Sequence, residues 1–390
     1  MSLSEAAFRR AWLSALCASV PLAVALAPEP AGARPVRVGR FARVPYGVSV
    51  AHPWPTGAGG GARRARALAA APAQAPQRLW RERVGAGRAF SPALAEDGTL
   101  FVASQAGLAA VAPSGELRWA LPLGLVAGTP SLTPDGSVAV GATPGEVVVV
   151  RAGRVVLRAP VGGVVRGSPL VLPDGSFVVA AWDQALHRFD AEGQRLFRVA
   201  LPAGVRGAPA RGPRGTLWVP AGSELVRVEA DGRVRRRVDL GREIVNGPAL
   251  ADDGRAWVVL DEGLLVAVSP EGQPLVQRPL DMEPSAASNL AVAADGSLRV
   301  ASASGALLGI GPGGSVRWRY EEGAPSGGVT VDPEGVTLTR DAGGQVLCIS
   351  AEGQLRWRLP IEGGGDAAPV LGEDGTLFVA EASGALSAWR

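Results

Sequence analysis

The chain has 390 residues, with 39 basic residues against 36 acidic ones and a formal net charge of +3. All the basic residues are arginine, and there are only two cysteines and two histidines. Two cysteines cannot staple a scaffold with disulfides, and beyond residue 76 only Cys348 and His187 remain, too few for a transition-metal site there.

Residues 1–33 read as an export signal. Arg9-Arg10 supplies a positive start, Ala11 to Ala27 is mostly apolar, and Ala31-Gly32-Ala33 is a small-residue cleavage site. Pro21 interrupts the apolar run, which at 17 residues is at the short limit for a membrane span. Arg9-Arg10-Ala11-Trp12-Leu13 is similar to a twin-arginine export motif. Cys17 follows Leu16 rather than the small residue of a lipid-attachment site, so it belongs to the signal. The expectation is an exported protein, periplasmic or extracellular, with membrane association if the segment is kept.

Residues 34–75 differ in composition. They hold Pro53-Trp54-Pro55, the run Gly59-Gly60-Gly61 and Arg63-Arg64-Ala65-Arg66, with no periodicity. The sequence predicts a flexible basic Pro/Gly-rich arm. It carries seven arginines and no acid, which leaves two readings: a solvated linker, or a weak contact with an anionic surface. Residues 76–390 carry 30 arginines against 34 acidic residues, a balance of −4. The folded part therefore lacks the basic footprint of a nucleic-acid binder.

From residue 76 the chain repeats. Asp97-Gly98 returns as Asp135-Gly136, Asp174-Gly175, Arg214-Gly215, Asp253-Gly254, Asp295-Gly296, Glu334-Gly335 and Asp374-Gly375, at spacings of 38 to 42 residues. Each unit reads as four short strands. A small residue and a proline precede the first, the acid–glycine pair turns the chain into the second, a glycine turn such as Gly107 leads to the third, and a polar turn such as Pro113-Ser114-Gly115 leads to the fourth. Four strands per roughly 40 residues is the blade of a β-propeller. The last unit stops at Ala388-Trp389-Arg390 without a fourth strand, while Pro76 to Arg81 matches a fourth strand with no unit of its own. The fold class is therefore all-β, an eight-bladed propeller of four-stranded blades over 76–390. An N-terminal strand completes the C-terminal blade and removes the sheet edge at the seam. The unit from Ala208 to Val238, with its arginine-rich fourth strand, fits the pattern least well.

The unit Asp97 to Trp119 resembles the pyrroloquinoline-quinone-type propeller repeat, whose closing strand ends in tryptophan. That aromatic recurs as Trp80, Trp119, Phe197, Trp318 and Trp357, with Leu157, Arg236 and Val276 in the equivalent places elsewhere. Their recurrence points to packing between blades. One branch of the family contains quinone-dependent dehydrogenases, which implies pyrroloquinoline quinone with calcium. The adjacent cysteine pair of its typical alcohol-oxidising members and an acidic cluster with calcium-ligand spacing are not seen in this sequence. The other branch is non-catalytic and includes the eight-bladed scaffold lipoprotein of outer-membrane assembly, which this chain resembles in length and blade count. The resemblance implies an interaction module with no cofactor, acting as a monomer on an envelope protein or a glycan. A quinoprotein-type oxidoreductase and a ligand-binding channel remain the alternatives.

Candidate contacts lie where the connections between blades share a face with the turns between second and third strands. Counting back three residues from the proline before each first strand gives Arg166, Arg206 and Asp366, with Asn246 one residue off. The third unit's turn is Trp182-Asp183-Gln184, where every other unit has glycine, and His187 follows. A bulky aromatic on a loop is the kind of residue that anchors a partner. No catalytic residue is assigned: no Gly-x-Ser-x-Gly elbow occurs in a strand–helix context, and Gly311-Pro312-Gly313-Gly314 is a hairpin turn rather than a phosphate loop. Cys348, in an apolar stretch, is read as core filler.

Overall fold

In the computed structural model, residues 52–390 are described, apart from 127, 144, 286 and 287. Each acid–glycine turn folds a two-residue inner strand onto a longer second strand. In blade 1 these are Ala93–Leu94 and Leu100–Ser104, followed by Gly107–Val111 and the outer Leu117–Pro122. The turn is held by its own carboxylate. Asp97 Oδ1 accepts the Thr99 amide at 2.9 Å, and Asp135, Asp174, Asp253, Asp295 and Asp374 do the same two residues on. Two blades solve the turn differently. In blade 7 Asp332 accepts the Val336 amide at 2.8 Å. In blade 4 Arg214 sits at φ 55° and the Pro213 carbonyl takes the Thr216 amide.

Eight four-stranded antiparallel sheets result, arranged as an eight-bladed propeller. The second and third strands of blade 1 are buried throughout, whereas its outer strand alternates between exposed and half-buried positions. The core therefore lies between the blades as well as within them. Blade 4 is complete, with strands Ala210–Arg211, Leu217–Ala221, Glu224–Val228 and Val234–Asp239. Blade 8 takes its outer strand from the N-terminal side: Arg78–Arg83 pairs antiparallel with Ala385–Trp389, from Arg78 opposite Trp389 to Arg83 opposite Ala385.

In blade 8 and blades 1 to 6 the closing residue packs on the next blade. A Cβ on Gly115 would stand 2.6 Å from Trp80 Cγ, and glycines 153, 193, 232, 272, 314 and 353 meet Trp119, Leu157, Phe197, Arg236, Val276 and Trp318 in the same way. Arg236 serves at this place through its aliphatic stem, which lies on Gly272 while the charge stays outward. Trp80 and Trp318 also donate their indole N–H groups to the carbonyls of Pro113 and Ala351 in the following blade.

The predicted flexible arm is corrected over its described part. Residues 52–71 run inside the ring as a belt, touching blades 1 to 7 in order. The Leu94, Leu132, Arg211, Leu250, Val292 and Val331 amides donate to the carbonyls of Trp54, Pro55, Gly61, Ala62, Arg64 and Ala65 at 2.8–2.9 Å. Arg63 donates to the carbonyls of Pro209, Gly57 and Ser168; Arg64 reaches Leu250, and Arg66 reaches Val292 and Ala293. The physical reason is the free inner edge of each blade, whose N–H and C=O groups need partners. These three guanidiniums bond inside the ring, and Arg64 and Arg66 also pair with Asp252. Residues 34–51 and the signal at 1–33 lie outside the described residues.

Candidate partner-binding face around Trp182

Strand direction puts the turns between second and third strands on the same end of the propeller as the connections between blades, away from the acid–glycine turns. On this loop face Trp182 is half exposed, at 49%. The Arg166 guanidinium carbon lies 4.2 Å from the centre of its ring. That contact is a cation–π pair which fixes two long side chains side by side at the surface. The backbone supports it: the Trp182 amide donates to the Val164 carbonyl at 3.1 Å, tying the turn to the connection that carries Arg166.

The turn is held from below by polar groups. His187 is fully buried, and its Nε2 lies 3.0 and 3.2 Å from the two oxygens of Asp183. Arg198 Nη2 donates to Asp183 Oδ2 at 3.2 Å. Burial pushes the His187 pKa down, against the pull of Asp183 in the other direction. Asp183 is thus a positioning residue that faces inward, rather than a free surface contact. Gln184 takes φ 56°, a left-handed conformation occupied at the equivalent place in blade 8 by Gly384. Such a φ is strained for a residue with a Cβ, and strain of this sort concentrates where a surface is used.

The other predicted residues do not join this cluster. Arg206 is exposed and paired with Glu243 at 2.8 Å. Asn246 is buried and donates to the Ser285 carbonyl at 3.4 Å, so it holds two connections together and offers no surface contact. Asp366 pairs with Arg88 at 2.6 Å, three blade junctions from Trp182.

Two features of this end escaped the sequence reading. Leu125 is 51% exposed on the connection into blade 2, whose carbonyl accepts the Thr143 amide. Arg340 is fully buried between blades 7 and 8, donates to the Ala380 carbonyl, and has its pKa lowered to about 10 by burial. Beside it, buried Glu381 is clasped by Arg81 at 2.7 Å. The signal was available: Arg340 stands where Ala103, Ala180 and Ala380 continue an apolar column in other blades.

Among the described residues no three His, Cys, Asp or Glu side chains converge to hold a cation, and the sequence has no adjacent cysteine pair.

The family model described as outer membrane protein assembly factor BamB matches residues 106–235 and 303–389. The crystal structure of BamB from Moraxella catarrhalis matches with a TM-score of 0.66 at 19% identity, over 80% of this chain and 97% of that one. A europium-containing methanol dehydrogenase matches with a TM-score of 0.70 at 12% identity, over 84% of this chain and 89% of the other. At these identities the two structures speak to the fold alone. No curated protein matches the chain.

Proposed function

This chain belongs to the family of the outer membrane protein assembly factor BamB, and from that membership we propose that it is an exported, non-catalytic propeller that holds a protein partner in the bacterial cell envelope. The partner is an outer-membrane protein or another factor of its assembly. The observation that carries this reading is the Arg166–Trp182 pair, exposed on the loop face and fixed by backbone bonds. A rigid aromatic anchor with a cation on its ring loses little side-chain freedom on docking, which is the property of an interface hot spot. Arg206 and Leu125 extend the surface on neighbouring connections.

The test is quantitative capture of the tagged protein from its own envelope after mild cross-linking. A defined envelope protein should be recovered by the unaltered chain and lost with Trp182→Ala, while thermal stability is unchanged. Equal recovery by both would remove the face from the interaction. The second reading is a quinoprotein-type oxidoreductase, which the fold alone accommodates. Titration of pyrroloquinoline quinone with calcium should leave the Tm unmoved; a saturable rise would favour that reading instead. Glycan binding in the channel is answered by the same assay with a glycan panel. The belt across the inner edges weighs against it.

A further inference from the structure

The belt is unusual for a permanent part of a fold. Ala58, Arg63 and Ala65 sit at φ 58°, 53° and 48°, the left-handed region that disfavours any residue with a Cβ. Arg63 is buried with its donors on three carbonyls, and among the described residues it forms no ion pair within 4.0 Å. The Trp54 indole nitrogen is buried with no hydrogen-bond partner among the described residues. Strained backbone, an unneutralised buried charge and an orphan donor thus fall within twenty residues.

Trp54, Ala65, Ala67 and Ala71 pack in the core, and the backbone bonds that hold the rest of the belt are generic. The inner strands of blades 1, 2, 4, 5, 6 and 7 each contribute one amide, and those of blades 1, 5, 6 and 7 one carbonyl as well. In blades 5 and 6 that carbonyl takes an arginine side chain where a further strand would offer an N–H. A peptide that turns as the belt does at Thr56–Gly59 and Gly60–Arg63 can meet such donors and acceptors. The carbonyls of Pro209 and Ser168 converge on one guanidinium and add a preference for arginine at that place. Residues 73–75, which join the belt to the closing strand of blade 8, are exposed. The belt can therefore leave without unpairing Arg78–Arg83.

We propose that the inner edges of the blades form a docking site for a peptide that bears an arginine and turns as the belt does, and that residues 52–71 are its releasable occupant in cis. A partner's segment of this kind takes the place of the belt. The site lies at the end of the channel next to the acid–glycine turns, opposite Trp182, and is independent of the function proposed for that face.

The experiment uses the full chain with a protease site inserted between Gln74 and Ala75. After cleavage, a fluorescent synthetic peptide of residues 52–71 is added in excess and its uptake followed by anisotropy, with circular dichroism reporting the ring. The peptide should exchange in, the Arg63→Ala peptide should bind at least tenfold more weakly, and Trp182→Ala in the protein should change neither. In the uncut chain, the Leu132, Arg211, Leu250, Val292 and Val331 amides should exchange hydrogen together and faster than Val148 in the middle of blade 2. Three results would overturn the proposal: no uptake by a folded ring, loss of the ring when the belt leaves, or belt-bonded amides that exchange only at the rate of global unfolding.

Discussion

Trp182 shows what a single residue contributes to a surface. It is half exposed, so Trp182→Ala should move the Tm by no more than a degree or two while weakening partner binding at least tenfold, read by titration against the captured partner. Gln184→Gly at φ 56° relieves a left-handed residue. It should raise stability by roughly 1 kcal/mol in denaturant unfolding. Histidine sets a pH dependence. Burial lowers the pKa of both His52 and His187 below the ordinary 6.5, so the unfolded chain binds protons that the folded one refuses. Their contribution is complete above about pH 6.5 and is lost as pH falls through the lowered folded values. The Tm should therefore decline below that pH, and less steeply in a His187→Gln variant. The sequence made Trp182 visible because one bulky aromatic interrupts a column of small turn residues. It did not reveal that Asp183 faces inward or that Asn246 is buried, since spacing fixes a place on the chain and says nothing of which way a side chain turns.

The acid–glycine turn is the repeating element, and its carboxylate works as a local clamp. Burial raises the pKa of Asp97, but the Thr99 hydroxyl and amide and Arg118 outweigh it and bring it below its usual value. Asp135, Asp174, Asp295 and Asp374 are lowered by the same kind of bonds. A depressed folded pKa gives stability that is present above the unfolded value near 3.9 and lost as pH falls through the folded one. Acid unfolding should therefore steepen below about pH 4, and Asp97→Ala should shallow that limb while costing about 1 kcal/mol at neutral pH. Gly309 tests packing within a blade: a Cβ there would run into the Trp318 ring, so Gly309→Ala should destabilise by about 1–3 kcal/mol in denaturant melts. These turns and strands were legible because each is specified by neighbours a few residues away. The belt was not. Glycine, proline and arginine without a period read as linker, and its hydrogen-bond partners are spaced one or two blades apart, at Leu94, Leu132, Arg211, Leu250, Val292 and Val331.

At the scale of the molecule, the ring is one closed object, and Cys348 reports on it. Its thiol is fully buried, and burial pushes its pKa up to about 12. Alkylation at pH 8 should proceed only through unfolding, so its rate should match that of global unfolding in the same buffer. A rate near that of a free thiol would mean that blade 7 opens on its own.

Ring closure also fixes an order of events in time. The strand Arg78–Arg83 cannot pair until Ala385–Trp389 exists, and Ala71 bonds to Asp332 across 261 positions of sequence. A chain made from its N-terminus must therefore carry Arg78–Arg83 unpaired until Ala385–Trp389 has been made. Folding dominated by such distant pairings is slow, and the waiting segments expose strand edges to other chains. A nascent chain released before Ala385–Trp389 is made would leave Arg78–Arg83 without its partner, so closing the ring is in effect a check that synthesis has passed that strand.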